Sequence, residues 1–66
     1  MTVTVNGQPW DLPDGATLAD VLHKLGAPSR GVAVALDGAV VPRARWAGTA
    51  LPPGASIDVV TAVQGG

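Results

Sequence analysis

The chain has no cysteine, no phenylalanine, no tyrosine and no glutamate. Without cysteine there is no disulfide framework, no thiolate metal site and no cysteine nucleophile. A single histidine, His23, and acidic groups that are all aspartates give no expectation of a metal cluster. The formal net charge is -1 and no basic run occurs, so the electrostatic footprint of a nucleic-acid binder is missing. No apolar run approaches the length of a membrane span, and no basic-then-apolar leader opens the chain; the expected location is therefore the cytoplasm.

What is present is valine, alanine and glycine in 66 residues, with 47% of them hydrophobic. That length makes one domain, and a chain so short buries only about 60% of the surface its unfolded form exposes. The apolar fraction is ordinary for a packed domain and argues against disorder.

Thr2-Val3-Thr4-Val5 is β-branched at every position and alternates strictly, which predicts a half-buried strand. Asn6-Gly7 accepts positive φ at both central turn positions and predicts a two-residue hairpin loop. That loop fixes the register: Val5 opposite Gln8, Thr4 opposite Pro9, Val3 opposite Trp10, Met1 opposite Leu12. Pro9 lacks a ladder donor, so the second strand is expected at an edge. After the Pro13-Asp14-Gly15 turn, Thr17 reads as a helix N-cap, with Asp20 favoured by the helix dipole. Leu18, Val21, Leu22 and Leu25 form the stripe of a helix packed on one face. Gly26 is its stop, and Pro28 prevents continuation. Asp20, His23 and Lys24 fall off the stripe, and His23 reads as an exposed helix residue rather than a catalytic group, having no partner in view.

Val32 to Leu36 is a second apolar strand, turned by Asp37-Gly38 into Ala39-Val40-Val41. Residues 42–48 are expected to be irregular or one helical turn, with Trp46 plugging the sheet end and Trp10 covering the first hairpin. Ser56 to Val63 is the last strand. It presents Ile57, Val59, Thr61 and Val63 to one face and Ser56, Asp58, Val60 and Ala62 to the other. Because Val59 and Val60 are both apolar, either face can be the covered one. The element order predicts an α+β fold, a mixed sheet of about five strands with one main helix laid across it. The first and last strands are expected at its centre, in parallel.

The last strand runs into Gln64-Gly65-Gly66. Chain ends usually fray, but a glycine pair carries no side chain and tolerates any φ, so it can pass where backbone must approach a ligand closely. The expected division is a folded domain over residues 1–63 and a flexible tail over residues 64–66.

Three blocks resemble the ThiS family, the ubiquitin-like sulfur carriers of thiamine biosynthesis. They are Thr17-Leu18-Ala19-Asp20-Val21-Leu22; Ala33 to Gly38 with the Pro42-Arg43-Ala44-Arg45-Trp46 segment; and Leu51-Pro52-Pro53-Gly54, Ile57 to Val60 and Gly65-Gly66. The likeness spans nearly the whole chain. A Pro-Arg-x-x-Trp segment at this distance from a terminal Gly-Gly is far more specific than Gly-Gly alone. Two departures stand out: Asp37 where the family commonly has Asn, and Ala55 where it often has an acidic residue, which puts a loop or partner contact in question.

The resemblance implies a β-grasp fold and a protein that is a co-substrate rather than an enzyme. Gly66 would be adenylated and then converted to a C-terminal thiocarboxylate. Gly65 and Gln64 would enter the partners' active sites, with Gln64 at the channel mouth. The implied partners are an adenylyltransferase of the ThiF type, which uses ATP, a sulfur relay from a cysteine desulfurase, and a thiazole synthase of the ThiG type. No bound cofactor is implied. Val60 and Ala62 are the candidate apolar docking patch, and Arg43 and Arg45 are candidates for steering onto an acidic surface or simply solvated charges. The alternatives are a carrier for molybdopterin or another cofactor pathway, a ubiquitin-like protein modifier, and a plain binding module. No nucleophile, base and orienting group occur together to support an independent enzyme.

Overall fold

The computed structural model describes residues 1–28 and 30–61. Strand β1 (Thr2–Val5) turns through Asn6-Gly7 into β2 (Gln8–Asp11), helix α1 covers Leu18–Leu25, and β3 (Val32–Leu36) turns through Asp37-Gly38 into β4 (Ala39–Val40). A 3₁₀ helix spans Arg43–Gly48, and β5 (Ser56–Thr61) closes the described part. The strands form one sheet in the order β2-β1-β5-β3-β4. β1 and β5 run parallel near its centre, and the other pairs are antiparallel.

Both hairpins have the predicted turn chemistry. Asn6 and Gly7 take φ of 50° and 81°, Asp37 and Gly38 take 50° and 88°, all in the left-handed region that a type I′ turn requires. The β1–β2 register is the expected one, and β2, with Pro9, is an edge strand. β4 is one residue shorter than expected, although the Val41 amide still donates to the Val34 carbonyl at 2.9 Å. Pro42 ends the ladder there.

Helix α1 starts with a reciprocal cap. The Asp20 amide donates to Thr17 Oγ1 at 3.3 Å, and the Thr17 amide donates to Asp20 Oδ2 at 2.9 Å. Two of the amides that a helix N-terminus leaves without partners are thereby satisfied. At the other end Gly26 has φ of 75°, and the amides of Gly26 and Ala27 donate back to the carbonyls of His23 and Leu22. Leu18, Val21 and Leu22 are buried against Val3, Val5, Val34 and Ile57 of the sheet. Leu25 departs from the expected stripe and is 40% exposed. It is the last helical residue before the chain reverses at Gly26, so the stripe outruns its cover by one turn. His23 is exposed, as its position off the stripe predicts.

The 42–48 segment is more ordered than expected. The 3₁₀ helix packs beside α1, and Trp46 is half-buried against the core rather than enclosed in it. Trp10 likewise covers the first hairpin while half-exposed, with Lys24 Nζ 5.9 Å from its ring centroid. From the 3₁₀ helix the chain returns past α1: the Leu18 amide donates to the Thr49 carbonyl and the Leu51 amide to the Ala16 carbonyl. Ala55 is 2% exposed, and its carbonyl accepts from the Thr4 amide at 2.8 Å. This position is therefore core at the start of β5, not an exposed loop contact.

Candidate functional site

β5 carries the chain out of the sheet. Its register to β3 extends from Leu36↔Ile57 to Val32↔Thr61, whereas its pairing with β1 covers only Thr4↔Ser56 and Val5↔Ile57. The expected strand end at Val63, the docking residue Ala62, and the tail residues Gln64, Gly65 and Gly66 lie outside the described residues.

Two turn residues clamp β5 from opposite sides. Asp37 Oδ1 accepts from the Ser56 amide at 2.9 Å, while the Asp37 amide donates to the Ser56 carbonyl at 2.8 Å. Asn6 Oδ1 accepts from the Val59 amide at 2.7 Å, while the Asn6 amide donates to the Ile57 carbonyl at 2.9 Å. Where a continuing strand would offer its main-chain carbonyl, each turn residue offers a side-chain oxygen. Asp37 performs this with a carboxylate, and Asn would offer the same acceptor, so its departure from the family pattern leaves the contact intact.

The register settles which face is covered. Val5 pairs with Ile57, and Ile57 is fully buried under α1. Alternation then turns Val60 to the opposite face, where it is 64% exposed. The possibility that α1 covers Val60 is thereby excluded. Val60 lies opposite Ala33, and Ala35 lies opposite Val40, which is 74% exposed. These four residues make a contiguous apolar patch over β5, β3 and β4, with exposed Asp58 on the same face. Sequence reading missed Val40, Ala33 and Ala35. The available signal was the alternation within β3, where large Val32, Val34 and Leu36 face the core and the alanines face out.

Arg43 and Arg45 are exposed in the 3₁₀ helix, in the layer that packs beside α1. The expected docking residues are therefore divided, with Val60 on the open face and the arginines in the helix layer. Among the described residues no group of three or more His, Asp or Glu side chains is placed to hold a metal ion, and no helix is long and apolar enough to cross a membrane.

The sequence model of the ThiS family matches residues 3–66. The chain belongs to the ThiS family. Its structure is similar to the crystal structure of a thiamine biosynthesis protein (ThiS) from Geobacter metallireducens, with a TM-score of 0.83 and 28% identity over 100% of both chains. It is also similar to an NMR solution structure of a thiamine biosynthesis protein from that organism, with a TM-score of 0.80 and 29% identity over 100% of this chain and 88% of the other. A search of curated proteins gives no match. The five-stranded mixed sheet crossed by one helix is accordingly the β-grasp fold of this ThiS family member.

Proposed function

We propose that this protein is a sulfur carrier of thiamine biosynthesis whose reactive atom is the carboxylate carbon of Gly66. The observation that carries this reading is the family match, which runs from β1 through to Gly66 and so includes the glycine pair. A carboxylate does not react with a sulfur nucleophile, because its leaving group would be oxide. Transfer of AMP from ATP to the carboxylate, with release of pyrophosphate, gives an acyl-adenylate. Hydrosulfide displaces AMP to leave a thiocarboxylate on Gly66 directly; a persulfide displaces AMP to give an acyl disulfide, which a second thiol then cleaves, leaving the thiocarboxylate and carrying the other sulfur away as a disulfide.

The carrier contributes a presentable terminus and a docking surface; an adenylyltransferase of the ThiF type contributes the ATP chemistry. A cysteine desulfurase relay supplies the sulfur, and a thiazole synthase of the ThiG type consumes it. The absence of side chains at Gly65 and Gly66 suits entry into a narrow channel, with Gln64 at its mouth. The apolar patch around Val60 and Val40 is the surface offered to these partners, and Ala62, outside the described residues, is the other residue proposed for docking. Arg43 and Arg45, lying in the helix layer, act as solvated charges.

Deleting Gly66 tests the assignment. Carrier-dependent pyrophosphate release by the adenylyltransferase is expected to vanish while the melting temperature stays unchanged. Undiminished release, or an equal loss of fold, contradicts it.

A further inference from the structure

We infer that Asn6 is a positioning residue for the terminal carboxylate, holding β5 at Val59 and so setting where the chain leaves the sheet. The inference rests on the sulfur-carrier reading, in which Gly66 must arrive in a partner's active site.

β1 stops pairing with β5 at Val5↔Ile57, yet β5 continues to Thr61. Along that stretch β3 holds one edge of β5 through Ala33↔Val60 and Val32↔Thr61. Among the described residues, the hydrogen bond to the other edge beyond Ile57 is the one from the Val59 amide to Asn6 Oδ1, at 2.7 Å. A strand held from one side can twist and fray away from its neighbour; held from both sides, its direction is fixed. Val59 stands seven positions before Gly66, so the point at which β5 is anchored sets the origin from which the terminal residues reach.

Turn formation alone does not explain this geometry. A type I′ turn also accepts Gly at the Asn6 position, and Gly would have no acceptor to offer. Asp37 supplies the internal control. It makes the same kind of bond to the Ser56 amide, but at the opposite end of β5, away from the exit. Two matched lesions thus separate a positioning role from a purely structural one. N6G and D37G each keep a permitted turn and each remove one side-chain acceptor from one β5 amide, while N6D restores the acceptor in the form that Asp37 already uses.

The experiment measures kcat and KM for the full-length carrier with its adenylyltransferase at saturating ATP, alongside exchange of the Val59 amide. N6G is expected to lower kcat about five-fold, the weight of one net hydrogen bond, with a smaller rise in KM because Val60, next to Val59 on β5, belongs to the docking patch. Val59 exchange should rise in the same variant. N6D should recover both, and D37G, despite an equal loss of stability, should leave kcat at the wild-type value. Equal falls in kcat for N6G and D37G, no fall for N6G, or no rescue by N6D overturns the inference. A wild-type protein that is not adenylated at all overturns the carrier reading itself, and the inference with it.

Discussion

Trp46 donates its indole N–H to the carbonyl of Val41 at 2.8 Å. This bond fastens the 3₁₀ helix to the end of the β3–β4 hairpin, where the ladder has just given out at Pro42. A half-buried ring and a directed hydrogen bond together hold this segment, which also packs beside α1. The Pro-Arg-x-x-Trp block is thus a closing device for the sheet end, with its arginines left in solvent.

Replacing Trp46 by Phe keeps much of the ring packing but leaves the Val41 carbonyl without its partner. The expected loss is about 1 kcal/mol, the usual net worth of such a bond. Trp46→Ala removes the packing as well and should cost about 3 kcal/mol, at the low end for aromatic truncation because the ring is only half-buried. Urea unfolding followed by circular dichroism reads both. Equal stabilities for the Phe and Ala variants would contradict the packing role.

The reciprocal cap on α1 predicts that Thr17→Ala destabilises the fold by about 1 kcal/mol. Thr17→Ser keeps the hydroxyl, and because Ser ranks at or above Thr as an N-cap the stability should stay at the wild-type value. The same unfolding measurement distinguishes them, and a Ser variant as weak as the Ala variant would rule the cap out.

Ile57 and Val60 are near neighbours on one strand with opposite fates. Ile57→Asp places a carboxylate in the core beside Val5 and Val34, and a buried unpaired charge costs several kcal/mol. For a domain of this size, whose total stability is about 3–10 kcal/mol, unfolding is the expected outcome. Val60→Asp should change stability by less than about 0.5 kcal/mol, as surface changes do, while raising the KM of the carrier for its adenylyltransferase. A Val60→Asp protein that folds and is adenylated like wild type would remove the open face from the docking account.

Much of the fold is legible in the sequence because local chemistry and global fold agree. Asn6-Gly7 and Asp37-Gly38 admit few conformations besides the tight turns they form, and Thr17 followed by a 3.6-residue stripe and Gly26 delimits the helix. The faces of β5 are a different matter. Val59 and Val60 are equally apolar, so periodicity cannot choose between them; pairing with Val5 does, and pairing is a tertiary fact. Asn6 and Asp37 are opaque for the opposite reason. Turn propensity already accounts for both residues, which conceals that each also accepts a bond from β5. Leu25 fits the stripe by angle, but nothing in the periodicity says where the sheet beneath the helix ends. At the C-terminal end, what is legible is composition: Gly65-Gly66 is informative only together with the Pro-Arg-x-x-Trp block and the family match that spans both.

The proposed carrier chemistry exchanges one oxygen for sulfur at one residue. The most direct test incubates the protein with ATP, a sulfur source and its adenylyltransferase, then measures intact mass and locates the change by fragmentation. The expected result is a gain equal to sulfur minus oxygen, confined to Gly66 and dependent on ATP. An unchanged mass under conditions that convert an established carrier, or a gain at any other residue, would contradict it.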